Sequence, residues 1–296
     1  MTGSQLGVLA VNALTLPLVA FLGGGNDVVG FRWTIIIFAV LCAIMTLFSF
    51  RHIKERVQVT AKRTTLKQGI HAMRRNWPWI IIVISNLLFW IGLTERTSTL
   101  VYYFTYNFGN KGLVTFFNSI ASIQIIAMLS IPLLNKFMSK QLLWIVSLIA
   151  AIIGQLIIVV GGQSLPIVLI GWIIANMGSG IACSMPFAML GSAVDYGEWK
   201  NKVNAAGLLT AIGSSFCIKV GSGIAGFIPS IILSAFGYVA NKTQTAYALT
   251  GISISFNWVT IFAFALAILP LLFYRKYEKM EDTVRLTVEK DTQLEN

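Results

Sequence analysis

The chain has 296 residues, of which 56% are hydrophobic and only 11% charged, and its 22 Lys and Arg against 11 Asp and Glu give a formal net charge of +11. Soluble domains carry about 25% charged residues, so this chain cannot cover a water-facing surface and is not a soluble enzyme. A basic balance is also the footprint of nucleic-acid binding. Here, however, the basic residues fall in short breaks between apolar runs, the pattern of membrane topology, and no nucleic-acid partner is expected.

Apolar stretches recur along the chain, and about 20 such residues cross a hydrocarbon core of about 30 Å. The expected fold class is an all-α membrane protein of about eight transmembrane helices, near residues 6–24, 31–50, 79–106, 113–134, 141–161, 165–190, 206–236 and 247–273. Ahead of the first span, Met1 to Gln5 has no charge and looks like a cut chain, without the basic region and cleavage site of a signal peptide. Cys42, Cys183 and Cys217 lie inside apolar segments without metal-ligand spacing and read as small core residues.

The connection after span two holds Arg51, Lys54, Arg56, Lys62, Arg63, Lys67, Arg74 and Arg75, which the positive-inside rule places in the cytoplasm. Alternation then puts Lys136, Lys140, Lys200, Lys202, Arg275, Lys276, Lys279, Arg285 and Lys290 inside and leaves Arg32, Lys111 and Lys242 near outside connections. Both termini are expected in the cytoplasm of a multi-pass plasma (inner) membrane protein. His52 and His71 fall in the basic connection, so no intramembrane histidine site is expected, and no phosphate-binding glycine loop is present. Asn241-Lys242-Thr243 matches a glycosylation sequon on an outside loop.

An ionisable group in mid-bilayer costs about 2.5 to 3.5 kcal/mol and calls for a partner or a task. Three qualify: Glu95 and Arg96 in span three, and Lys219 in the middle of span seven. Ser215, Lys219 and Gly223 are spaced by four, which sets a hydroxyl, an ammonium and bare backbone on one helix face. That stripe either binds a polar solute or hides a structural salt bridge. Glu95 and Arg96 point about 100° apart, and each either serves a site or reaches headgroups at the outer end. Tyr102, Tyr103 and Tyr106 read as an interfacial aromatic belt, with a sugar-stacking surface as the alternative. Trp90 in mid-span stacks a sugar or fills a core. Of Asn12, Asn86, Asn118, Gln124, Gln155, Asn176, Ser179 and Ser184, most read as interhelical hydrogen-bond partners. Gly207, Gly213, Gly221, Gly223 and Gly226 crowd span seven, where small residues let helices approach.

Between spans six and seven the sequence reads Asp195-Tyr196-Gly197-Glu198-Trp199-Lys200, followed by Gly207-Leu208-Leu209 and Phe216-Cys217-Ile218-Lys219, with Phe236-Gly237-Tyr238 beyond. This resembles the glycoside-pentoside-hexuronide:cation symporter family, the melibiose-permease-like branch of the major facilitator superfamily. In span three, Arg96, Tyr102-Tyr103 and Tyr106 resemble the family's Arg followed by a Tyr-Tyr pair and another Tyr. The resemblance implies two six-helix bundles around a sugar site opened alternately to each side, of which about the first four helices are missing here. Residues 1–50 would then be the last two helices of the first bundle, 51–78 a basic cytoplasmic linker, 79–274 the second bundle and 275–296 a cytoplasmic tail.

The resemblance also implies roles. Lys219, Ser215, Ile218 and Arg96 would bind substrate or couple it, and Asp195, Tyr196, Gly197, Glu198, Trp199 and Lys200 would form a cytoplasmic gate loop. No resident cofactor or metal is expected, and a coupling sodium ion or proton is expected in the full-length carrier. Partners would be a sugar or glycoside, the lipid bilayer, and either the missing N-terminal helices or a second copy. Where this chain has Ser192, Asn204 and Ala206 the family often has Asp, Arg and Glu, which weakens loop charge pairing, and the family's acidic cation ligands lie in the part absent here. The expected function is symport of a glycoside or related sugar inward with sodium or proton by a truncated carrier. A non-transporting remnant or helper subunit and a general major facilitator exporter stand as the alternatives.

Overall fold

The computed structural model describes residues 2–52, 66–201, 205–240, 242–281, 283, 284, 286 and 287. It divides into two units, Met1–Lys62 and Arg63–Asn296, whose boundary falls within the expected linker. Lys54, Arg56, Lys62, Arg63, Lys202, Asn204, Asn241, Arg285 and Lys290 lie outside the described residues.

The first unit is a helix hairpin of α1 (Thr2–Gly23) and α2 (Asp27–His52). Gly24 and Gly25 turn the chain at φ 50° and 97°, the left-handed region open to glycine. Asn26 Oδ1 then accepts from the Val28 and Val29 amides at 3.1 and 3.3 Å, which caps α2. The helices cross tightly because Gly30 has no side chain: a Cβ there would fall 2.2 Å from the Val19 carbonyl oxygen. Two expectations change here. Cys42 is exposed on α2 and is not a core residue. Arg51 and His52 belong to the last turn of α2, where cationic side chains complement the helix dipole.

The second unit begins with the short α3 (Leu66–Met73), which carries His71, and α4 (Trp77–Tyr102). The next span is broken into α5 (Gly112–Ile120), α6 (Gln124–Leu129) and α7 (Ile131–Leu134). Then come α8 (Lys140–Gly161) and α9 (Leu165–Asn201), which share the largest interface of the unit. The last elements are α10 (Ala206–Ala211), α11 (Cys217–Ala235), α12 (Ala246–Ser253) and α13 (Thr260–Glu278). Among the described residues seven helical stretches are long and apolar enough to cross a membrane, and α1 occupies the place of the first expected span.

Among the described residues three stretches wind as π-helix: Tyr103–Asn107 after α4, Ile212–Phe216 between α10 and α11, and Ile254–Val259 between α12 and α13. Such turns leave a carbonyl without its usual i+4 partner, and buried carbonyls must be satisfied. Neighbouring amides supply the donors. Asn86 Nδ2 donates to the Gly213 oxygen at 2.8 Å, and Gln155 Nε2 to the Phe256 oxygen at 3.2 Å.

Lipid tails give no hydrophobic drive between helices, so close backbone approach matters more. Gly154, Gly171 and Gly178 line the α8–α9 seam, and a Cβ at any of them would lie within 2.6 Å of backbone across it. Outward-facing residues such as Ile84, Ile149, Ile153, Ile170 and Phe262 stay exposed as an apolar coat.

The span expected to end at 190 continues to Asn201. Asp195, Tyr196, Gly197, Glu198, Trp199 and Lys200 are therefore the last turns of α9, not a loop. Residues after 274, expected as a tail, begin as packed helix: Tyr277 and Val284 are buried and Glu281 pairs with Lys140 at 2.9 Å.

Candidate functional site

The residues singled out by sequence fall into three places in the second unit. At one end, α9 is docked onto the start of α4 and the end of α13. Asn76 Nδ2 donates to the Ala193 oxygen at 2.9 Å while its Oδ1 caps α4 at the Trp79 amide. Trp77 Nε1 donates to the Tyr196 hydroxyl at 3.0 Å, and the rings of Trp77 and Tyr277 both meet Tyr196 edge-on. Gly197 is required for this fit, since a Cβ would fall 2.5 Å from Asn76 Nδ2. Ser192 Oγ donates to Glu281 Oε1, which also takes Lys140, and the Tyr277 hydroxyl donates to the Ser192 carbonyl. Lys200 lies 5.6 Å over the Trp199 ring. Arg74, Arg75, Lys140, Lys200 and Lys276 gather at this end, as the alternation of spans predicts.

The second place is α11. Cys217, Gly221, Ala225 and Pro229, spaced by four, are buried against α4. Gly221 sits against Trp90, whose Cβ would be 2.8 Å from an added methyl, so Trp90 is a packing residue at this seam. Thr94 and Ser222 hydroxyls join across it at 3.0 Å. Lys219 lies around the helix from that face and is exposed, as are Ser215 and Gly223, while Ile218 is half-buried. A side chain at Gly223 would meet nothing within 4 Å. No described acidic group lies within 4.0 Å of the ammonium, so the salt-bridge reading of Lys219 is not found among the described residues. A lipid-facing ammonium in mid-span is costly, so this face suits water, a polar solute or a polar partner.

The third place lies inside the unit around the Ile254–Val259 turn. Arg96 is only 2% exposed, its Nη2 donates to Asn176 Oδ1 at 3.2 Å, and its guanidinium stands 5.0 Å over the Trp172 ring. Its Nε and Nη1 have no hydrogen-bond partner among the described residues. Glu95 is fully buried and takes a hydroxyl from Ser255 of the π turn. Both side chains are enclosed among the described residues, which favours a built-in setting over the reading in which they reach headgroups. The structure does not join Arg96 to Lys219 or Ser215 by any hydrogen bond among the described residues. Tyr103 is likewise not a belt residue: it is buried and stacks on Phe256 at 4.4 Å. Tyr102 and Tyr106 pack on Tyr238, which donates to the Tyr106 hydroxyl at 3.0 Å.

Sequence reasoning missed Ser255, Asn257 and Trp172. A serine and an asparagine two residues apart in an apolar span are an available signal, but only the π turn aims both inward, with Asn257 Oδ1 accepting from Gln155 at 2.9 Å.

A glycine-seamed bundle of long apolar helices with an apolar outer coat defines, among the described residues, a multi-pass membrane protein. Comparison with known proteins makes the class specific. Residues 1–277 match the family described as MFS/sugar transport protein, and the chain belongs to that family. It is 36% identical to the isoprimeverose transporter of Lactiplantibacillus pentosus, over 98% of this chain and 62% of that protein. It is 30% identical to the uncharacterized symporter YnaJ of Bacillus subtilis (strain 168), over 94% of this chain and 61% of the relative. A glucuronide carrier protein homolog of Escherichia coli (strain K12) is 28% identical over 83% of this chain and 54% of its own length. The chain thus spans about three fifths of the length of the curated relatives it matches most fully.

Proposed function

We propose that this chain serves cation-coupled uptake of a glycoside or related sugar, as a symporter driven by a sodium ion or proton. The observation that carries the reading is the exposed face of α11, where Lys219 stands in mid-span with Ser215 one turn before it and open backbone at Gly223 one turn after. An ammonium donates up to three hydrogen bonds and a hydroxyl both donates and accepts, which suits a sugar's hydroxyls. Family membership and the similarity to an isoprimeverose transporter support a sugar as the solute.

Coupling follows from linkage: if the cation raises sugar affinity by some factor, the sugar raises cation affinity by the same factor. The packed end of α9 takes the place of a gate loop in this reading. Its helical junction with α4 and α13 holds the second unit as one body while access changes. The basic residues collected at that end support a cytoplasmic placement for it, and with it cytoplasmic termini in the plasma membrane. Carriage by this chain alone, with added N-terminal helices, or with a second copy are the arrangements to compare.

The test is uptake of labelled isoprimeverose, a glucuronide and other glycosides into vesicles containing this chain, with imposed sodium or proton gradients. Uptake that follows one gradient and is lost in Lys219→Leu is the expected result. Gradient-driven uptake unchanged by Lys219→Leu overturns the assigned site. No uptake in any arrangement overturns the transport reading.

A further inference from the structure

Among the described residues of the second unit, Glu95 is the most enclosed carboxyl group and has no ionic partner. It is 0% exposed; Oε1 takes the Ser255 hydroxyl at 2.5 Å, and Oε2 has no hydrogen-bond partner among the described residues. No Lys, Arg or His nitrogen of the described residues lies within 4.0 Å of it. Arg96 is its chain neighbour but turns to Trp172 and Asn176 of α9.

The elements packed on α4 bring little charge to the carboxyl. The Ile254–Val259 turn has no ionisable residue, and those of α13 begin only at Tyr274. From α11 come Cys217, bonded to the Val83 and Ile212 carbonyls, and the exposed Lys219. The Tyr103–Asn107 turn supplies Tyr103, stacked on Phe256, and Tyr106, bonded by Tyr238. Cys183 of α9 is buried, and its next ionisable residue is Asp195, at the far docked end.

A carboxylate held this way, with one hydroxyl and no cation, bears a desolvation penalty of several kcal/mol. Binding a proton removes the charge and with it the penalty. A metal cation fits less well, because hard cations gather several oxygens, six or more for calcium, and here a single hydroxyl oxygen reaches the carboxyl.

We infer that Glu95 carries a proton in this conformation and, with Ser255, forms a proton-binding site inside the second unit, separate from the Lys219 face. The site deepens the transport reading by giving the second unit a proton-binding group of its own, distinct from the cation ligands that the family resemblance places in the first bundle, and rests on that reading for its use. The Ser255 end of the contact belongs to a π turn, so a small change of winding at Ile254–Val259 withdraws the hydroxyl and alters the proton affinity of Glu95.

The experiment is infrared difference spectroscopy of the whole chain in lipid vesicles across a pH titration. The expected result is a protonated-carboxyl C=O band at neutral pH that is lost in Glu95→Gln and moves to higher frequency in Ser255→Ala, where its hydrogen bond is gone. A neutral-pH spectrum without that band, or with a band unchanged in both variants, overturns the inference. Replacement of the band by a carboxylate signal when sodium is added at fixed pH overturns it too, in favour of a sodium site. If Glu95→Gln does not insert, the Ser255→Ala shift decides alone. Band present without sugar uptake sinks the transport reading only, and uptake without the band sinks this site only.

Discussion

Lys219 and the pair Glu95–Arg96 are all charged residues in apolar helices, yet the structure treats them in opposite ways. Lys219 stands on an open helix face with no acidic partner among the described residues. Glu95 and Arg96 are enclosed, turned away from one another, and held by Ser255 on one side and by Asn176 and Trp172 on the other. The difference teaches that an intramembrane charge has two uses. One stands on an open helix face, free to meet a polar solute, and contributes little to the fold. The other is built into the packing, where its protonation or its hydrogen bonds are coupled to helix geometry.

The largest expected effect breaks the comparison from the Lys219 side. Each hydrogen bond to a charged group is worth about 1.5 to 3 kcal/mol, and 1.4 kcal/mol is about tenfold in affinity. Lys219→Leu should therefore lower sugar uptake or binding by about ten- to a hundredfold, read as initial uptake rate or as equilibrium binding of labelled isoprimeverose. Its thermal unfolding in detergent should not fall, since no described hydrogen bond or ion pair is lost. An unfolding temperature that drops sharply would place Lys219 among the structural charges.

Next in size is a change that damages the enclosed side without touching any charge. Asn86→Leu removes the donor that satisfies the Gly213 carbonyl in the π turn that contains Ser215, and a buried carbonyl left unpaired costs about 1 to 3 kcal/mol. Unfolding should shift down accordingly, and uptake should fall with it because Ser215 lies in that turn and Lys219 follows it. Unchanged stability would mean that the π winding needs no side-chain support.

A smaller effect separates the docked end of α9 from both. Ser192 donates to Glu281, so Ser192→Asp sets two carboxylates on one lysine and should cost about 1 kcal/mol at that partly exposed site. The loss should shrink at high salt. This is one position where the chain departs from the family pattern it resembles, and Glu281 gives a physical reason for a neutral donor there.

Much of the fold is legible in the sequence, because hydropathy reports burial in lipid directly: four of the expected spans begin and end within a few residues of the continuous helical stretches Trp77–Asn107, Lys140–Gly161, Ala206–Ala235 and Ala246–Glu278. It fails at α9, where Asp195, Glu198 and Lys200 look like a loop by polarity and yet continue the helix, because Asn76, Trp77 and Tyr277 from distant segments hold Ala193 and Tyr196 of the same stretch. The site is legible in part. Spacing by four placed Ser215, Lys219 and Gly223 on one face, but hydropathy could not say that this face is open while Arg96 is enclosed, since α4 is apolar all round and has no evident inner side. The π turns were invisible because their signal is a missing hydrogen bond filled by Asn86 or Gln155 from another helix.

The smallest expected effect is also the sharpest test of the contrast. Arg96→Met loses a desolvated cation–π contact worth about 2 kcal/mol and a hydrogen bond to Asn176 worth about 1.5 kcal/mol or more. It also removes an intramembrane charge whose burial costs about 2.5 to 3.5 kcal/mol and whose Nε and Nη1 are unpaired. The two sides nearly cancel, so thermal stability should change by about 1 kcal/mol or less. If uptake nonetheless falls, Arg96 is retained for what its free N–H groups receive during transport. If stability collapses while the remaining folded protein transports normally, the guanidinium is a packing device between α4 and α9, and only Lys219 of the three serves the solute.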